Sequence, residues 1–265
     1  MGHRFRLSSF LTAATLLSAC LQQVPPPSPS NAPDTQGAPT INTVVWELLA
    51  PGLERRTIRP NNSLLVSFTV LRIDPALFAF RTHYRPDDPL TVTGWRDALP
   101  GVVALINANF FDRANRILGL LIADGVTYGE SYRDRGGMFY IDNDGNIGIR
   151  SMIPEPYQGE AFAQAVQAFP VLVTDGTASF DNSRGDSLSR RTAIGIDGDG
   201  RVLWIVSSSL LGLRLTDLSA YLPTTDLGLV DAFNLDGGGS TMLYTEDEQI
   251  PSFDPVPAVL AIYAK

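Results

Sequence analysis

The chain has 265 residues, 44% hydrophobic and 9% aromatic, enough apolar material for one large domain or two small ones. Its formal net charge is −8 and its pI about 4.7, which excludes the basic surface that a nucleic-acid partner requires. Beyond the N-terminus no apolar run is long enough to span a bilayer.

Residues 1–19 read as an export signal. Arg4 and Arg6 supply the positive start, and LSSFLTAATLLSA is an apolar stretch of the length such signals use. The stretch ends in LSAC at Cys20, which resembles the lipobox of bacterial lipoproteins and implies cleavage before Cys20 and lipidation of its thiol. Cys20 is the only cysteine, so it has no disulfide partner in this chain; a free thiol after an ordinary signal is the alternative. From Leu21 to Thr40 the chain is rich in Pro, Ser, Gln and Asn and lacks aromatics, the composition of a disordered tether. These features predict an exported protein, lipid-anchored to a membrane of the bacterial cell envelope, with its folded domain at residues 41–265.

Within that domain INTVVWELL reads as a strand, PGLERR as a turn, and Ser63–Asp74 and FAFRTHYR as strands. Thr91–Leu99 reads as a short helix with a capping Thr. Gly101–Asp112 begins as a buried strand and ends in the polar and aromatic cluster NANFFD. Ile117–Glu130 and Gly136–Met152 read as hairpins, as do the Asp-Gly pairs after PVLVT and RTAIGI. Gly159–Phe169 is helical in composition. Thr216 reads as the N-cap of a helix that stops at Pro223, and VPAVLAIYA closes the chain as a strand. The sum is an α+β domain, mainly antiparallel sheet with a few short helices.

The most distinctive stretch is NLDGGGSTMLY, Asn234–Tyr244. Three consecutive glycines serve either as a turn or where something must come close to the backbone; their N–H groups can then form an anion nest, edged by Asp236, Ser240 and Thr241. Elimination narrows the chemistry. After export the chain keeps one histidine, His83, and no cysteine besides Cys20, so neither a thiolate nor a His-rich metal site is expected. DNDG at Asp142 and DGDG at Asp197 lack the acid a calcium loop needs at its twelfth position, where Ile153 and Ser208 stand. No phosphate-binding loop signature and no nucleophile elbow are present, so no metal and no cofactor are expected. Acid–base work falls to carboxylates, with Asp112, Asp124, Asp175 and Asp236 as candidates. Arg190 and Arg191 read either as anion ligands or as ordinary surface or ion-paired arginines.

Four stretches together carry a resemblance: ALINANFFD (Ala104–Asp112), ILGLLIADG (Ile117–Gly125), SRRTAIGIDGDG (Ser189–Gly200) and DAFNLDGGGSTM (Asp231–Met242). In this order they resemble the phosphodiester glycosidase family. The resemblance implies hydrolysis of a sugar-1-phosphodiester on the sugar side, and motifs that meet in one cleft. Carried over by position, it makes Asp236, Arg191 and Asn107 the catalytic set. Asn109, Phe111, Asp124, Gly237, Gly238, Gly239 and Ser240 become substrate-binding residues, and the partner is a carbohydrate phosphodiester. Members of that family commonly carry an Asp-Gly pair after the RTAIG hairpin, where this chain reads VSSSLLGLRL, Val206–Leu215. That departure leaves a competing expectation, a non-catalytic lipoprotein that binds envelope glycan or exopolysaccharide.

Overall fold

The computed structural model describes residues 45–265; the export signal, Cys20, the tether and the start of the expected first strand lie outside the described residues. Nineteen of the strands here are β1 (Glu47–Ala50), β2 (Leu53–Ile58), β3 (Phe68–Ile73), β4 (Phe78–Tyr84), β5 (Ala104–Asn107), β6 (Phe110–Phe111), β7 (Ile117–Leu118), β8 (Leu120–Ala123), β9 (Val126–Gly129), β10 (Gly137–Asp142), β11 (Ile147–Ser151), β12 (Phe162–Ala168), β13 (Val171–Thr174), β14 (Thr177–Ala178), β15 (Thr192–Asp197), β16 (Val202–Ser207), β17 (Leu229–Asn234), β18 (Leu243–Thr245) and β19 (Gln249–Ile250). The last is β20 (Ala258–Ala264). Two α-helices, α1 (Val92–Ala98) and α2 (Leu215–Tyr221), complete the regular structure together with short 3-10 turns.

Three antiparallel sheets carry the fold. The largest runs β1-β2-β3-β16-β15-β17-β13-β14, and two five-stranded sheets run β11-β10-β12-β8-β9 and β19-β18-β5-β20-β4. The side-chain alternation of β16 explains the layering. Val202, Trp204 and Val206 enter one apolar cluster with Phe80, Ile106, Phe139 and Leu260 from the smaller sheets. Leu203 and Ile205 point the other way, into a cluster with Leu218 and Leu222 at α2. A strand covered on both faces must be apolar at every position, which is why VLWIVS shows no polar alternation before its final Ser207. Strand β17 splits likewise, with Phe233 toward the smaller sheets and Leu229 and Ala232 toward α2.

Several expectations change on contact with the fold. PGLERR turns only at Pro51 and Gly52, the latter at φ +77°, and Leu53 onward is β2. The strand expected from Ser63 starts at Phe68, leaving Leu64 and Leu65 exposed in a loop. Gly159–Phe169 is not a helix: β12 occupies its heart and pairs with both β10 and β8. Its Ala and Gln content favours a helix locally, but the tertiary position overrides that preference. The glutamines serve the sheet instead. Gln164 Oε1 accepts from Thr82 N at 3.0 Å, and Gln167 Oε1 accepts from Leu120 N and Tyr132 N at 3.2 and 3.0 Å. The expected three helices thus become two, and the domain is mainly antiparallel sheet. Thr216 does not cap α2. Asp186, distant in sequence, accepts from Leu215 N and Thr216 N at 2.8 and 2.9 Å and stabilises the helix start from outside. Among the described residues no helix is long and apolar enough to cross a membrane.

Candidate active site

The chain leaves the large sheet at Asn234 and joins the β5 sheet at Leu243, so Asp236 sits where sheets meet. Its backbone is fixed from both sides. Leu235 N–H donates to the Thr192 carbonyl at 2.8 Å, and Asp236 N–H donates to the Ala108 carbonyl at 3.0 Å. Asn107 locks the crossing. Its Nδ2 donates to the Asp236 carbonyl at 2.6 Å, while its Oδ1 accepts from Thr192 Oγ1 at 2.7 Å and Met242 N at 3.1 Å. One buried amide thereby ties together the asparagine, RTAIG and glycine motifs.

Asn109 ties the same segment to the third sheet, donating from Nδ2 to the Leu120 and Gln167 carbonyls at 2.9 and 2.8 Å. Its Oδ1 is buried without a partner among the described residues, as is Oδ1 of Asn234. Buried polar atoms are nearly always paired, so these two acceptors flanking Asp236 remain open to a water or a ligand group.

The Asp236 carboxyl is half-buried and has no cation beside it. Burial pushes its pKa up to about 6, partly opposed by the Ser240 hydroxyl and the Gly237 N–H, which donates to Oδ1 at 2.8 Å. Tyr132 lies within its field. Burial pushes that phenol up to about 12, with Arg135 lowering it and the Asp236 charge raising it further. Tyr132 packs edge-on to Phe169 at 5.4 Å between ring centroids, Phe110 lies 4.8 Å from Phe169, and the Arg135 guanidinium lies 5.8 Å from the same ring. An aromatic wall with a cation at its rim thus stands beside an isolated carboxyl.

Two of the three glycine N–H groups, those of Gly237 and Gly238, are bonded within the protein. Gly237 N–H goes to its neighbour's carboxylate, Gly238 N–H donates to the Arg190 carbonyl at 2.8 Å, and Ser240 N–H donates to the Gly237 carbonyl at 3.1 Å. These donors are committed within the protein rather than gathered into an open nest. A Cβ on Gly237 would meet the Arg190 carbonyl at 2.7 Å, one on Gly239 would collide with the Asp254 carboxylate, and Gly238 sits at φ +61°. Close approach is required, but the approaching group is the protein's own chain.

Arg191 is turned toward α2. Its Nε donates to the Leu213 carbonyl at 2.9 Å and its Nη2 to the Ser187 carbonyl at 2.6 Å, with Asp186 at 3.3 Å. It therefore holds the 186–187 loop and the segment at Leu213, the departure from the family pattern, in register with the RTAIG strand. Phe111 packs into the cluster of Trp95, Leu105 and Val259, and its neighbour Phe110 is the one that joins the aromatic wall. Asp124 is the positive-φ residue of the β8–β9 turn, bonded to Arg81 and Gln164 Nε2, each at 2.7 Å. The Arg81 guanidinium draws its pKa below the usual carboxylate range. Asp112 is likewise committed to the turn before Arg116, and Asp175 is a positive-φ turn residue. Asp236 is half-buried with no cation beside it, whereas Asp112 and Asp124 are each paired with an arginine. Tyr132, Phe110, Phe169 and Asn234 escape sequence reasoning. Asn234 and Phe110 stood inside the recognised motifs, whereas nothing local singled out Tyr132 or Phe169.

The antiparallel three-sheet frame thus brings the NANFFD, RTAIG and NLDGGGS segments to one crossing around the Asp236 carboxyl. The chain matches the phosphodiester glycosidase family over residues 100–263 and belongs to that family. Its fold is similar to the catalytic domain of zebrafish N-acetylglucosamine-1-phosphodiester alpha-N-acetylglucosaminidase, a structure auto-inhibited by its pro-peptide, with TM-score 0.63, 20% identity, and 83% of this chain and 86% of that chain covered. It is also similar to a hypothetical protein from Synechocystis (TM-score 0.59, 16% identity, covering 80% and 62%) and to a putative exported protein from Burkholderia pseudomallei K96243 (TM-score 0.54, 14% identity, covering 75% and 74%). No curated protein matches the chain in sequence.

Proposed function

We propose that this chain hydrolyses the bond between the anomeric carbon and oxygen of a sugar-1-phosphodiester, within a glycan or glycoconjugate of the cell envelope. The observation that carries the reading is Asp236, a half-buried carboxyl without a counter-charge and raised to about 6, at the crossing of the family motifs. In its ionised form it acts at the anomeric carbon. The departing phosphate is a weak base and needs no strong acid, which suits a site built on one carboxylate. Asn107 positions Asp236 through its carbonyl, and Arg191 positions the neighbouring loop. No cofactor is needed. On metal, we expect activity that survives EDTA; loss restored by a single divalent ion would overturn that expectation.

The test is incubation of the purified chain with UDP-N-acetylglucosamine, or a simpler sugar-1-phosphodiester, in heavy-oxygen water. Free sugar together with an unlabelled phosphate product supports the reading. Label appearing in the phosphate product would mean cleavage on the phosphorus side. No released sugar, with glycan retained on the protein, would favour the binding lipoprotein.

The envelope part of the proposal rests on LSAC and the tail behind it. Replacing Cys20→Ser should move the protein from the membrane fraction to the soluble one; a variant that still sediments and is released by detergent would refute the lipid anchor. Firm anchoring takes more than one acyl chain, which lipoprotein-type modification supplies.

A further inference from the structure

Three arginines are buried in the described domain: Arg56, Arg190 and Arg191. Arg56 holds Asp226, and Arg191 holds Asp186. Arg190 has no carboxylate partner among the described residues, although it is only 5% exposed. A guanidinium cannot escape burial by losing its proton, so an unpaired one is costly unless an anion completes it.

Its surroundings fit an anion. Nη1 donates to the Pro251 carbonyl at 3.0 Å, and Nε is buried without a partner. The guanidinium lies 4.8 Å from the centre of the Phe253 ring, which is largely exposed at the rim. The cavity beside it, about 190 Å³, is lined by Arg190, Ser208, Ser209, Leu210, Glu248 and Phe253, among others. That volume suits a phosphate group. Glu248 is the one acid in the lining, and its oxygens are turned to Thr69 Oγ1 at 3.0 Å and Arg55 Nη1 at 3.5 Å. The Arg190 carbonyl receives the Gly238 N–H, and the Gly239 carbonyl accepts from Phe253 N at 2.7 Å. The cavity therefore borders the glycine loop that follows Asp236. Only Gly237 separates Gly238 from Asp236, so the Arg190 and Asp236 backbones lie within roughly 12 Å.

We propose that Arg190, with the exposed Ser208 hydroxyl at the rim, forms an anion subsite that takes a phosphate group on the leaving side of the substrate. Its role as a substrate site rests on the proposed hydrolysis; its anion binding does not. The residue meeting phosphate is then Arg190, and its neighbour Arg191 keeps a positioning role.

The experiment is titration of the chain with inorganic phosphate near neutral pH, followed by calorimetry, for wild type and the Arg190→Gln, Ser208→Glu and Asp236→Asn variants. A charge-assisted contact of this kind contributes enough that its loss weakens binding about tenfold or more. Arg190→Gln should show that loss. Ser208→Glu places a negative charge at an exposed position on the cavity lining and should abolish binding, which keeps the test valid if Arg190→Gln folds poorly. Asp236→Asn should bind phosphate at least as well as wild type. With UDP-N-acetylglucosamine, Arg190→Gln should raise KM more than it lowers kcat. Unchanged phosphate affinity in both Arg190→Gln and Ser208→Glu, or no saturable binding by wild type, would overturn the proposal. Phosphate binding through Arg190 in a chain that releases no sugar would instead sink the hydrolytic reading and leave the anion site standing.

Discussion

Asp124 and Asp236 both precede glycine at the end of an apolar run, and their environments could hardly differ more. Asp124 sits on a hairpin turn with φ +48°, half in water, its charge held by Arg81. Asp236 sits where sheets cross, half-buried, with a hydroxyl and one N–H for company. The first is drawn below the ordinary carboxylate range and the second is lifted to about 6. The same dipeptide is therefore an ion-paired turn in one place and a carboxyl with a raised pKa in the other. What separates them is desolvation against a nearby cation, the two influences that most often oppose each other on a carboxyl. A pKa near the working pH is the condition under which a carboxyl exchanges protons usefully.

The strongest way to break this contrast is to remove each charge in turn. Asp236→Asn should lower kcat about 100-fold or more while the fold persists, read from sugar release and circular dichroism. The same change should raise stability at neutral pH. The folded pKa of Asp236 lies above its unfolded value, so the stability it contributes is full below about pH 4 and lost as pH rises through about 6; the whole effect is at most on the order of 3 kcal/mol. Denaturant unfolding of wild type and variant at acidic and neutral pH checks the sign: the variant's advantage should grow between them.

Asn107→Ala tests whether the crossing depends on a single amide. It strands the Asp236 carbonyl, the Thr192 hydroxyl and the Met242 N–H in a buried place. A loss of about 2 kcal/mol or more is expected in urea unfolding, with reduced turnover as Asp236 loses its anchor. A change under about half a kcal/mol would mean that water replaces the amide without penalty.

Arg191→Lys should cost about 1–2 kcal/mol, because an ammonium cannot keep the Leu213 and Ser187 carbonyls and Asp186 together. Its effect on phosphate affinity should be small, in contrast to Arg190→Gln, and calorimetry distinguishes the two. Asp124→Asn is the smallest change. Its ion pair with Arg81 is largely exposed, so stability should move by no more than about 1 kcal/mol and kcat by less than about twofold. A large loss of kcat there would erase the distinction between the two aspartates.

The hairpins were legible because Asp-Gly and Gly turns between β-branched runs are local signals: β8–β9, β10–β11, β13–β14 and β15–β16 all close where those pairs stand. Asp236 was legible because an acid before three glycines is unusual in any fold. Strand β12 was not legible, since AFAQAVQA prefers a helix when read alone and becomes a strand only between two partners. The Asp186 cap of α2 and the Phe110–Phe169–Tyr132 wall were also hidden, because each joins segments far apart in sequence that carry no motif for the contact. The roles of the two neighbouring arginines were hidden for another reason. Consecutive residues at a strand end face opposite ways, and only the packed sheet reveals that Arg191 meets α2 while Arg190 meets the 251–253 segment.

The measurement that bears most directly on the account is the pH profile of kcat for sugar release from a sugar-1-phosphodiester, taken from about pH 4 to about pH 8 on wild type and Asp236→Asn. If Asp236 works as a carboxylate at the anomeric carbon, the wild-type rate climbs as pH passes about 6, and the variant is about 100-fold slower or worse with that climb gone. A variant with near-normal kcat, or a wild-type rate that falls as Asp236 ionises, would contradict it.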